Sequence, residues 1–111
     1  MNKKIKLKEN EKEAITELKK EVLKKFPSAK FMLFGSAATG KATSESDIDI
    51  LILIDEINSR NEEEIIHIGF KLELKCDVIF GFIINSRQEW KKYEKLEMPL
   101  CQEVWKYGIP L

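Results

Sequence analysis

Apolar positions along this chain change their spacing several times, and each change marks an element. From Asn10 the period is helical: Ala14, Ile15, Leu18 and Val22 recur at three- and four-residue intervals between charged residues. Asn10 and Glu13 have capping-box spacing, and Pro27 closes the helix. Before it, Met1 to Lys8 alternates lysine with apolar residues and is expected to be a solvated arm. Ala29 to Phe34 is a short apolar segment between Pro27-Ser28 and Gly35, too short for a helix, and predicts strand 1. Ser36 to Gly40 is small and permissive, enough for one helical turn, and Lys41 to Ser46 reads as a polar loop.

Asp47 to Ile54 predicts strand 2, whose Ile/Leu run after Ile48 has no polar face, as expected of a central strand covered on both sides. Ser59 and Glu62 form a second capping box, opening a helix with Ile65, Ile66, Gly69, Phe70 and Leu72 as its apolar stripe and an end near Leu74. Lys75 to Ile84 is rich in β-branched and aromatic residues and predicts strand 3. A strand, a long helix and a further strand make a βαβ unit, so strands 2 and 3 should run parallel with a right-handed crossover. Ser86 and Glu89 open a third capped helix through Trp90, Tyr93 and Leu96. Pro99 suits a first helical position, and Leu100 to Tyr107 predicts a last helix, stopped by Gly108 and Pro110, with Leu100, Val104 and Trp105 on its buried side. The expected fold is α/β, a mixed sheet with helices packed against it and strand 1 antiparallel to strand 2.

Length and charge narrow the function. A chain of 111 residues is expected to be one domain spanning 1–111. Its 19 basic residues match 19 acidic ones, so there is no general field to attract nucleic acid or an anionic membrane, and anion binding must come from a local site. The apolar runs fall far below the ~20 residues needed to span a bilayer. Cys76 and Cys101 form neither a CxxC pair nor a disulfide framework, and no secretory leader is evident, which points to a reduced cytoplasmic protein.

The chemistry concentrates between Phe34 and Leu53, reading FGSAATGKATSESDIDILIL. On a strand, residues i and i+2 share a face, so Asp47 and Asp49 present both carboxylates in one direction. Two carboxylates about 5 Å apart repel by roughly 3 kcal/mol at an effective dielectric of 20. A surface ion pair returns only about 0 to 1 kcal/mol, so a divalent cation offsets the repulsion far better. Hard oxygen ligands select Mg²⁺ or Mn²⁺ rather than zinc. Asp77, at the start of strand 3, would complete a three-carboxylate cluster if the parallel strands stand level. Gly35 lets backbone approach a ligand closely, and Ser36 with the following N–H groups can hold phosphate oxygens.

Blander readings compete at each position. Ser46 and Asp47 could cap a strand-entry turn, which leaves Asp49 inside the apolar run unexplained; a calcium loop fits less well still, because the further oxygen ligands, central Gly and distal Glu of an EF-hand are missing. Asp77 alone could be a solvated strand end. His67 reads as a surface histidine, the two cysteines as packed thiols, and Trp90, Tyr93 and Trp105 as core or partner-facing aromatics.

Gly-Ser, ten residues and then Asp-x-Asp resembles the signature of the DNA polymerase beta-like nucleotidyltransferase superfamily, and the small minimal nucleotidyltransferases (MNT) fit best, over most of the chain. The resemblance implies metal-dependent transfer of a nucleoside monophosphate from a nucleoside triphosphate to a hydroxyl, with release of pyrophosphate. Asp47 and Asp49 would be metal ligands, Asp77 a third ligand that orients or deprotonates the acceptor, and Gly35 and Ser36 triphosphate contacts. It further implies a HEPN-type protein partner, in some cases adenylylated by an MNT antitoxin, and leaves room for a homo-oligomer. The turn departs from relatives that read GSRARG or GSYARG: Ala37, Ala38 and Thr39 stand there, and Lys41 is the nearest substitute for the arginine. Two functions therefore stay open, an active transferase and a catalytically weak MNT subunit acting as a binding module.

Overall fold

The structure, a computed structural model, describes residues 7–41 and 47–111. The lysine-rich arm through Lys6 and the polar loop over 42–46, with its Ser46 cap, lie outside the described residues. The elements run α1 (Glu9–Lys25), β1 (Lys30–Phe34), α2 (Gly35–Thr39), β2 (Ile48–Ile54), α3 (Ser59–Cys76), β3 (Phe80–Ser86), α4 (Arg87–Lys95), α5 (Pro99–Tyr107) and β4 (Ile109–Pro110).

Among the described residues the strands form one sheet in the order β3-β2-β1-β4. β2 and β3 are parallel, whereas β1 is antiparallel to both β2 and β4. β2 carries no polar side chain beyond Asp49 because both its faces are covered. Ile48, Ile50, Ile52 and Ile54 face the layer made by α1 and α3, packing with Leu18, Val22, Ile65 and Leu72. Leu51 faces the opposite layer with Trp90 of α4 and Cys101 and Val104 of α5. Gly69 lets α3 settle onto β3, since a Cβ there would collide with the ring of Phe82, which itself stacks on Phe80 at 5.1 Å.

Asp55, just past β2, accepts from Ser28 Oγ at 2.7 Å and pairs with Arg87, so the ends of β2 and α4 are tied on the side of the sheet away from Asp49. Ser86 caps α4 as expected, accepting from the Glu89 N–H at 3.1 Å, and Pro99 opens α5. The small turn after β1 is helical, with Gly40 left-handed behind it.

Other expectations shift. Lys8, not Asn10, stands at the N-cap of α1, where its N–H donates to Glu11 Oε1 at 2.8 Å; the Asn10 amide instead donates to the carbonyl of Cys76 at 2.9 Å, fastening α1 to the end of α3. Asn58, not Ser59, caps α3, its side chain accepting from the Asn61 N–H. That helix runs to Cys76, and strand 3 starts at Phe80 rather than Lys75. Val104 is buried on α5, but Trp105 is 80% exposed and Leu100 is exposed too, because Cys101 takes the inward position. After Gly108 the chain returns to the sheet as β4, pairing Ile109 with Leu33. Burial pushes the thiols of Cys76 and Cys101 up, so both behave as packed apolar groups.

This division of labour predicts a contrast. Ile50→Ala, at a position with no exposure, should cost about 2–5 kcal/mol in chemical denaturation, and Trp105→Ala about 0.5 kcal/mol or less.

Candidate active site

β1 ends where β2 begins, and the antiparallel register sets Phe34 opposite Asp49. The next residue, Gly35, has φ +70°, which turns the chain sharply into α2, and a Cβ on it would strike Asp49 Oδ2. On the other side the parallel register sets Gly81 opposite Asp49, and a Cβ there would lie 2.5 Å from Asp49 Oδ1. The carboxylate of Asp49 thus lies between two glycines, Gly35 in the turn after β1 and Gly81 in β3, one oxygen toward each. Asp47 approaches the same side, its Cβ 4.0 Å from the position a Cβ on Gly81 would take. Both carboxylates share the face of Leu51, the face that α4 and α5 cover further along.

Asp49 is half-buried and Asp47 exposed. Burial, with Asp47's charge second, raises the Asp49 pKa above its ordinary value. Among the described residues neither carboxylate is in an ion pair with lysine or arginine. Two like charges at a strand mouth, with hard oxygen donors and no counter-ion among the described residues, suit a hard divalent cation.

Gly35 and Ser36 also line a cavity of about 610 Å³, bounded by Lys41 on the α2 side and by the C-terminal turn of α5 across from it. Of the residues singled out from the sequence, Gly35, Ser36, Asp47 and Asp49 therefore converge, and Lys41 joins the first two at the cavity.

Asp77 does not join them. It is exposed, in the left-handed conformation at φ 56° that closes α3, and its carbonyl accepts from the Asn10 amide at 3.3 Å. Strand 3 starts three residues later, so the place level with Asp49 falls to Gly81. Among the described residues no group of three or more His, Cys, Asp or Glu side chains is placed to hold a metal ion. A third carboxylate level with the pair, expected from sequence, is thus absent there. The signal that could have located Gly81 was a lone glycine inside a strand pattern, a mark of close approach by another group. Lys106 and Tyr107, on the cavity's far wall, carried no sequence signal.

Comparison with known proteins follows the same line. A family model described as "Nucleotidyltransferase domain" matches residues 15–101. Three proteins of Methanocaldococcus jannaschii, each named "Putative protein adenylyltransferase", are similar to this chain. One is 35% identical over 100 residues, covering 87% of this chain and 94% of the relative. The second is 38% identical over 85 residues, covering 75% and 81%. The third is 39% identical over 88 residues, covering 76% and 88%.

A charge held at this cost has a readable consequence. Because the folded state raises the pKa of Asp49, stability falls as pH climbs above the ordinary aspartate value of 3.8 and the group must ionise in the fold. Asp49→Asn should therefore raise the thermal midpoint of the metal-free protein by a few degrees at pH 7, with the gain vanishing below that value, as followed by circular dichroism.

Proposed function

This chain belongs to the nucleotidyltransferase domain family, and on that premise we propose that it transfers a nucleoside monophosphate from a nucleoside triphosphate to a hydroxyl on a protein partner. The observation that carries the reading is the convergence of Asp47 and Asp49 with the Gly35-Ser36 turn at one sheet edge, beside a cavity of about 610 Å³, within the size range of ligand pockets. The relatives' name points to adenosine triphosphate as donor and a protein as acceptor. A HEPN-type protein is the partner class that the sequence resemblance suggests.

In this reading the Ser36 hydroxyl and the N–H groups of the turn orient the triphosphate. The acceptor oxygen bonds to the α-phosphorus while the bond to the bridging oxygen of the β-phosphate breaks. Pyrophosphate leaves, and the hydroxyl proton passes to solvent. Asp47 and Asp49 would hold a Mg²⁺ or Mn²⁺ ion, whose role when bound is to neutralise phosphate charge and polarise the α-phosphate. Gly81 keeps the space in which the Asp49 carboxylate stands.

The same two-carboxylate arrangement, with no arginine in the turn, favours a second reading in which the subunit binds and restrains its partner while transferring slowly or not at all. Radiolabel transfer from α-labelled triphosphate, with Mg²⁺ and the co-purifying protein, separates the two. Asp49→Asn should remove transfer by at least about a hundredfold, while Asp77→Asn, which keeps a residue tolerant of the left-handed conformation, should retain it within about twofold. Transfer that is absent from the wild type, together with partner binding unchanged by Asp49→Asn, sinks the transferase and supports the binding module.

A further inference from the structure

The cavity beside Gly35 and Ser36 has a wall that neither the sequence signature nor the carboxylate pair explains. It comes from the last turn of α5, where Glu103, Lys106 and Tyr107 face the α2 side across about 610 Å³. We infer that this turn supplies the nucleotide-gripping groups that the α2 turn lacks, with Lys106 holding the triphosphate opposite Lys41 and Tyr107 offering its ring to the base. The inference rests on the transferase reading in so far as both place a nucleoside triphosphate at Gly35-Ser36.

Charge is the first argument. Lys41 and Lys106 are the cations on the cavity wall, and among the described residues neither is in an ion pair. A helix C-terminus carries about half an elementary negative charge, which disfavours a phosphate, and Lys106 alone outweighs it. Glu103 repels phosphate but accepts hydrogen bonds from a ribose hydroxyl or an exocyclic amine. A wall of mixed sign beside an aromatic ring matches a nucleotide better than a simple anion.

Rigidity is the second. Lys106 Nζ lies 5.3 Å from the centroid of the Tyr107 ring, so the two side chains are already gathered. The backbone behind them is pinned. Gly108 N–H donates to the Val104 carbonyl at 2.7 Å, and a Cβ on Gly108 would lie 2.7 Å from Met32 Cε, so the chain passes tight against β1. Met32 then pairs with Pro110 and Leu33 with Ile109, and the Leu111 N–H donates to the Phe31 carbonyl at 3.0 Å. β1, which delivers Gly35, thus also fixes the turn that carries Lys106 and Tyr107. A preorganised wall loses little side-chain freedom on binding.

Isothermal titration of the full chain with Mg²⁺ and either adenosine triphosphate or inorganic tripolyphosphate tests this, alongside Lys106→Met, Lys106→Arg and Tyr107→Leu. Both substituted positions are on the surface, and thermal midpoints within about two degrees of wild type confirm the fold. Lys106→Met should weaken both probes about tenfold, the loss of one charged hydrogen bond, and Lys106→Arg should restore both. Tyr107→Leu should weaken adenosine triphosphate and spare tripolyphosphate. Wild-type binding of adenosine triphosphate that is unchanged in Lys106→Met and Tyr107→Leu overturns the inference and leaves the transferase reading standing. Failure of the wild type to bind either probe overturns both.

Discussion

One carboxylate sets the terms for the rest of this molecule. Asp49 sits within a strand that is otherwise apolar, and its two oxygens occupy the spaces that side chains on Gly35 and Gly81 would fill. That placement needs three registers at once: β1 against β2, β3 against β2, and the left-handed turn at Gly35. A slip of one residue in β2 would turn Asp49 into the α1/α3 core and take Ile50 out of it. The isoleucines of β2 prevent this, because burying Ile48, Ile50, Ile52 and Ile54 together on one face fixes the register that presents the carboxylates on the other. Core packing and site geometry are therefore one constraint seen from two sides of the sheet.

The constraint is held unequally around the site. β2 is locked by burial on both faces, and its far end by Asp55 with Ser28 and Arg87. The α3–β3 connection is held by polar contacts instead: Asn10 to the Cys76 carbonyl, and Phe80 N–H to Glu73 Oε2 at 2.7 Å. These contacts carry α3 on to its left-handed end at Asp77 and delay β3 until Phe80. The result is a glycine, rather than an acid, beside Asp49.

Much of this was legible from residue order because it depends on local rules. The apolar run of β2, the Gly35 turn, the Ser86 cap and Pro99 at the head of α5 each follow from chemistry within a few positions, and so does the gathering of Gly35, Ser36, Asp47 and Asp49 at the candidate site. Asp77 misled because Cys-Asp-Val-Ile reads as strand by composition, whereas the helix before it is prolonged by a contact from Asn10, 67 residues away. β4 escaped because Gly108 and Pro110 read as stops, and their pairing partner, β1, lies far back in the chain. Trp105 looked like core since indole usually is. Cys101 and Val104 had already filled the inward positions of a helix that covers only part of one face.

The sheet order gives the missed pieces a common logic. β1 lies between β2 and β4, so one strand borders both the acidic pair and the end of the chain. Two of its neighbours meet at Gly35: the carboxylate of Asp49 packs under the turn, and the cavity bounded by α5 opens beside it. Negative charge gathers on the β2 side of that glycine, and the cavity side carries two lysines together with Glu103. In the proposed reading a polyphosphate lying across the turn would draw on both, the carboxylates to hold a divalent cation and the ammonium groups to meet its outer oxygens. With only small side chains from Ala37 to Thr39 in the turn itself, the positive charge beside it comes from elements that the turn does not contain, and the pairing of β4 with β1 holds one of them, the end of α5, at the cavity.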